Sequence, residues 1–138
     1  MEKSSRFFKT YFILVIFYAI IGILDSLFLS GMKETFGQIS ILWMVFVSLF
    51  EFAIFILSII ALVVFIKNKL PKVTLIMPIY HLITAVLILI YGFAWGILSA
   101  VQGNPIAGQL IPPGMIAIGV ISSLFELIFS IYILSKFK

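Results

Sequence analysis

Apolar residues fill four long blocks of this chain, at 8–30, 39–66, 73–100 and 113–135, and the polar residues gather between them. None of the blocks alternates apolar and polar positions, as the strands of a membrane barrel do, and a barrel needs at least about eight strands of roughly ten residues. Each block is long enough for a helix that crosses hydrocarbon, which takes about 20 residues, the longer ones with tilt. The stretch 73–125 contains no Asp, Glu, Lys or Arg. It is too long for one helix, and Gln102, Gly103, Asn104 and Pro105, then Pro112, Pro113 and Gly114, divide it. Such Gly- and Pro-rich clusters mark loops. The pattern predicts an all-α fold: one transmembrane domain over 1–138, built as a four-helix bundle.

Composition supports that reading. The chain is 64% hydrophobic and 10% charged, with a mean hydropathy of +1.33; a soluble domain carries about 25% charged residues. Too few polar side chains exist to coat a globule in water, and disorder requires low hydrophobicity. The lipid bilayer is the expected solvent. Lys3, Arg6 and Lys9 ahead of the first block resemble the start of a signal peptide. The block is long for that purpose and lacks a convincing small-x-small cleavage site, so it reads as a retained helix.

Basic residues give an orientation. Lys3, Arg6 and Lys9 precede the first span, Lys67, Lys69 and Lys72 lie between the second and third, and Lys136 and Lys138 follow the fourth. The opposite side carries only Lys33, beside Glu34, and an uncharged loop over 101–112. By the positive-inside rule the chain is a multi-pass protein of the cell membrane with both termini cytoplasmic. The net charge of +4 then serves the headgroup layer, and no nucleic acid is expected as a partner. Trp43 and Trp95 are expected toward the outer side and Tyr11, Tyr80 and Tyr132 toward the inner, as an aromatic belt. The 101–112 loop is expected to dip into the headgroups and cover the bundle.

Two short stretches repeat. Ser48-Leu49-Phe50-Glu51 is identical to Ser123-Leu124-Phe125-Glu126, 75 residues on. Gly22-Ile23-Leu24 recurs as Gly96-Ile97-Leu98, one residue out of step. The repeat predicts a duplicated helical hairpin, with halves at 8–66 and 73–135 related by a two-fold axis along the membrane normal. Gly22 and Ser26 on the first span, and Gly92, Gly96 and Ala100 on the third, make stripes of small residues that let helices approach closely. They predict that these two spans meet each other or meet another subunit.

Four ionisable residues need explaining inside the spans: Asp25, Glu51, His81 and Glu126. A charged side chain at the centre of a membrane helix costs about 2.5–3.5 kcal/mol on an insertion scale, so such residues face protein or water and mark joints or pathways. Counted at 1.5 Å per residue from the flanking lysines, Asp25 and Glu51 both lie about 24 Å deep, while His81 and Glu126 lie about 14–15 Å deep; counted from the outer ends instead, Glu51 and Glu126 come out level, because the second span is the longer. His81 with Glu126 is the one opposite-charge pair available at depth. Asp25 with Glu51 would share a proton or hold a cation; alternatively, Asp25 caps a turn near the outer surface.

The chemistry that remains is narrow. The chain has no cysteine, which excludes disulfides, iron–sulfur ligation and thiolate catalysis. One histidine gives no bis-histidine haem, and no HExxH pair exists. No cofactor and no metal are expected, and no nucleophile–base set points to an enzyme. The expected function is non-enzymatic: a small subunit or assembly partner of a larger membrane complex, contacting other membrane subunits or copies of itself. The alternative is a small proton- or cation-coupled transporter or channel that uses Glu51 and Glu126.

Overall fold

A computed structural model of the chain describes residues 2–31, 37–103 and 114–137. Over these residues the protein is helical: α1 is Glu2–Gly31, α2 Gly37–Lys67, α3 Ile76–Val101 and α4 Met115–Lys136, with a 3₁₀ turn at Lys72–Leu75 leading into α3. Within them, Ser5–Leu27, Leu42–Lys67, Lys72–Leu98 and Ile116–Lys136 are long and apolar enough to cross a membrane. Hydrocarbon offers no partner to backbone N–H and C=O groups, so such a segment must satisfy them within its own helix. The loop expected to cover the bundle falls mainly on 104–113, outside the described residues.

The α2–α3 connection shows how the chain reverses. Lys69 adopts a left-handed φ of 52°, and the Leu70 N–H reaches back to the Phe65 carbonyl at 3.0 Å, the 6→1 bond that closes a helix C-terminus. Pro71 follows, and Thr74 bonds its carbonyl through both the backbone N–H (2.9 Å) and the hydroxyl (2.7 Å). Pro78 stands in the first turn of α3, where a helix tolerates a missing N–H. It leaves that helix unbroken from Ile76 to Val101.

Both termini and this turn lie at one end of the bundle. Ser5, Asn68, Pro71 and Phe137 line one cavity there, and the Phe8 and Phe137 rings are 6.4 Å apart. The apolar core occupies the same half: Phe8, Tyr11, Phe12 and Val15 of α1, Ala61 and Phe65 of α2, Met77 of α3 and Ile133 of α4. Phe65 stacks parallel to Phe12 at 6.1 Å and meets Tyr11 edge-on at 5.7 Å.

α1 packs most extensively on α4, then on α2; α2 packs on α3, and α3 touches α4 only lightly. The α1–α4 contact rests on small residues. A Cβ on Gly22 would run into the Ser123 hydroxyl, and one on Gly119 would lie 3.1 Å from that of Ser26. Ser26 meanwhile bonds its own helix at the Gly22 carbonyl (2.9 Å). Continuing this antiparallel register sets Ala19 level with Glu126, and both are buried.

The stripe on α3 behaves differently. A Cβ on Gly92 or Gly96 would meet nothing within 4 Å, and Ala100 is exposed. The expected meeting of the first and third spans through their small residues is therefore not made within this chain: Gly22 and Ser26 meet α4. Beyond Val86 every described side chain of α3 is exposed except that of Trp95. Among the described residues the apolar core surrounds the end that carries the α2–α3 turn, and α3 is the helix that stands exposed toward the other end.

Candidate functional site

Each helix sends one polar side chain to a common centre. Tyr11 (α1) and Ser58 (α2) hydroxyls lie 3.0 Å apart, and His81 Nδ1 (α3) sits 3.2 Å from the first and 3.3 Å from the second. The other ring nitrogen, Nε2, faces Oε1 of Glu126 (α4) at 3.6 Å, with both side chains about 95% buried. The Ser122 hydroxyl donates to the same Oε1 at 3.3 Å and shares a short hydrogen bond with the Tyr80 hydroxyl. Thr84 ties its own hydroxyl to the Tyr80 carbonyl at 2.8 Å. The edge of Tyr18 closes over the imidazole, with ring centroids 5.7 Å apart.

The local sequence explains the convergence. On α2 the buried positions Ile54, Ser58, Ala61 and Phe65 alternate steps of four and three, which lines them along one face. On α4 Ser123, Glu126, Ser130 and Ile133 do the same. The two inward stripes place Ser58 and Glu126 on opposite sides of His81. Some atoms in this centre remain unsatisfied: His81 Nε2, Glu126 Oε2 and Ser130 Oγ are buried with no hydrogen-bond partner among the described residues. A distance of 3.6 Å is too long for a direct hydrogen bond.

The identical Ser-Leu-Phe-Glu stretches lead to unlike surroundings. Glu126 is 4% exposed and Ser123 6%, whereas Glu51 and Ser48 are exposed. Glu51 nevertheless continues the inward stripe of α2, three residues before Ile54. Continuing the Ser58–His81 level along the antiparallel helices sets Glu51 beside Ile88 of α3, where the side chains of that helix are exposed. Asp25 accepts a hydrogen bond from the Trp43 indole at 2.8 Å, tying α1 to α2.

Tyr11 and Tyr80, read from sequence as belt residues, point into the bundle instead. Tyr132 is exposed and its hydroxyl accepts from Lys136 at 3.0 Å. Sequence reasoning missed Tyr11, Ser58, Tyr80 and Ser122 as partners of the His81–Glu126 pair. The available signal was spacing: Ser58 lies seven residues after Glu51, and Tyr11 seven before Tyr18, so each pair shares a helix face.

The order Ser58–His81–Glu126 resembles a hydrolytic triad. Ser58, however, is fully buried between Tyr11 and His81, so a carbonyl carbon has no approach to its hydroxyl. Among the described residues, no three His, Asp or Glu side chains gather as metal ligands. The arrangement can bind helices together, hold protons and bear charge in a low-dielectric setting. Four apolar spans around such a polar centre are the architecture of a multi-pass integral membrane protein. No protein-family model, curated protein or solved structure matches the chain.

Proposed function

We propose that this protein is a non-enzymatic integral membrane protein that acts as a small subunit or assembly partner, joining other membrane subunits or further copies of itself. The observation that carries the reading is Glu51. It lies on the inward stripe of α2 yet is exposed, and an intramembrane carboxylate needs protein or water beside it. The open space over Gly92 and Gly96 adds a second uncovered surface, of the kind that accepts a close-packed helix. By the positive-inside rule the basic end faces the cytoplasm. The two hairpins, 8–66 and 73–135, are read as a diverged duplication with a parallel two-fold, in which only the second copy keeps its glutamate covered.

The test is the native mass of the purified chain in mild detergent. The wild type is expected to run well above its 15.5 kDa. Glu51→Gln and Gly96→Leu are each expected to weaken assembly by roughly ten-fold, the scale of interhelical contacts in membranes, while leaving the monomer folded. A wild type that runs as a single copy at all concentrations, and that brings no fixed partner with it from native membranes, contradicts the reading.

A second reading has one observation of its own: Glu51 is exposed and lies two turns from Ser58 on the same face of α2, and the Ser58 hydroxyl reaches His81 in the polar centre. That order suits a proton- or cation-coupled transporter or channel entered from the side of Glu51. Proton flux into liposomes that is lost in Glu51→Gln, with native mass unchanged, would favour it over assembly.

A further inference from the structure

We propose that His81 and Glu126 share one exchangeable proton between Nε2 and the carboxylate, and that this proton holds the four helices together. The geometry supplies four reasons. The two groups face each other at 3.6 Å and are almost completely buried. Among the described residues His81 Nε2 and Glu126 Oε2 both lack a hydrogen-bond partner, so a small rotation of the glutamate closes the gap at the cost, at most, of the long Ser122 bond to Oε1. The far side of the ring, Nδ1, lies beside two hydroxyl oxygens, Tyr11 and Ser58, either of which can accept its N–H. Finally, hydrocarbon penalises net charge heavily, and a shared proton leaves the site neutral.

The chemistry balances within the pair. With the proton on nitrogen the site is an imidazolium beside a carboxylate. With the proton on oxygen it is a neutral imidazole, protonated at Nδ1, beside a carboxylic acid. Moving between them breaks one O–H bond and makes one N–H bond, and the total charge stays zero. In both forms Nδ1 carries hydrogen and donates to the Tyr11–Ser58 hydroxyls. The other titratable groups around the ring are Tyr11 on α1, at Nδ1, Tyr18 on α1, nearly perpendicular to the imidazole, Tyr80 on α3, reaching Glu126 through Ser122, and Glu51 on α2, two turns from Ser58 on the same face. None of them lies between Nε2 and the carboxylate. The inference goes beyond both functional readings; for a transporter it makes Glu126, and not Glu51, the bearer of the proton at the bundle centre.

His81 is the chain's single histidine, so its ring nitrogens give an unambiguous nuclear magnetic resonance signal in the ¹⁵N-labelled full chain in lipid bilayers. The expected spectrum has Nδ1 protonated and a strongly hydrogen-bonded proton at Nε2. Glu126→Gln, which keeps the shape but removes the acid, is expected to abolish that proton signal. It should also speed exchange of the remaining ring N–H with water by at least about ten-fold, the loss of a charge-assisted hydrogen bond. A bare Nδ1 in the folded wild type overturns the proposal by itself, even where Glu126→Gln fails to fold. A Nε2 proton signal unchanged in a folded Glu126→Gln overturns it too.

Discussion

Replacing His81 with alanine is expected to destabilise the bundle by about 2–4 kcal/mol, from stranding buried polar partners and from the cavity the ring leaves. The change strands Glu126 at 4% exposure with Ser122 as its one remaining hydrogen-bond donor. It also removes the ring nitrogen that Tyr11 and Ser58 share, and with it the side chain that, among the described residues, joins polar groups of the other three helices. Against a total stability of about 5–15 kcal/mol, such a loss is a large share of the whole. Denaturant unfolding in mixed micelles reads it directly. The second change Glu126→Leu, made in the His81→Ala background, is expected to recover a large part, because it removes the stranded acid. A loss below about 1 kcal/mol, the worth of an exposed pair, would mean that the contact contributes little.

Gly22→Leu is expected to cost about 1–3 kcal/mol through overpacking. A Cβ at Gly22 already collides with the Ser123 hydroxyl. That hydroxyl can turn away from a single methyl group, but not from a leucine held between two helix backbones. Lipid tails are as apolar as leucine, so helices in a membrane associate through close packing and hydrogen bonds, not through the hydrophobic effect. Pushing α1 from α4 weakens the most extensive contact in the molecule. Gly96→Leu is the control: with nothing within 4 Å, it should leave unfolding of the monomer unchanged. Equal losses at the two glycines would contradict the packing described.

The four helices were legible because lipid imposes one rule on every residue of a span, and uninterrupted apolar runs with Pro- and Gly-rich breaks record it. The depth count from flanking lysines set His81 level with Glu126, and the structure brings these two side chains together. The count reports height and not direction around the helix, so it was silent on Tyr11 and Ser58. Direction is hard to read here because the helices are apolar on nearly all sides: Leu49 and Phe52, exposed, are as hydrophobic as Ile54, buried. Gly22 and Gly96 show the same limit. Their stripes look alike in sequence, but one lies against α4 and the other against nothing, since which faces meet depends on how far the helices diverge. The matched glutamates differ for that reason as well. The residues around Glu51 give no sign that its side chain stands exposed.

The account turns on whether Glu51 is covered in the membrane. The chain is free of cysteine, and Ser48 is exposed one turn from Glu51, so Ser48→Cys gives a single spin-label site that leaves the glutamate in place. The measurement is the label's collision rate with lipid-dissolved oxygen and with a water-soluble relaxing agent, in native membranes. A label at Ile128→Cys, on an exposed face of α4, serves as the reference for open lipid. Shielding of the Ser48→Cys label from both agents is the predicted result. A label there as open to oxygen as the one at Ile128→Cys would contradict it.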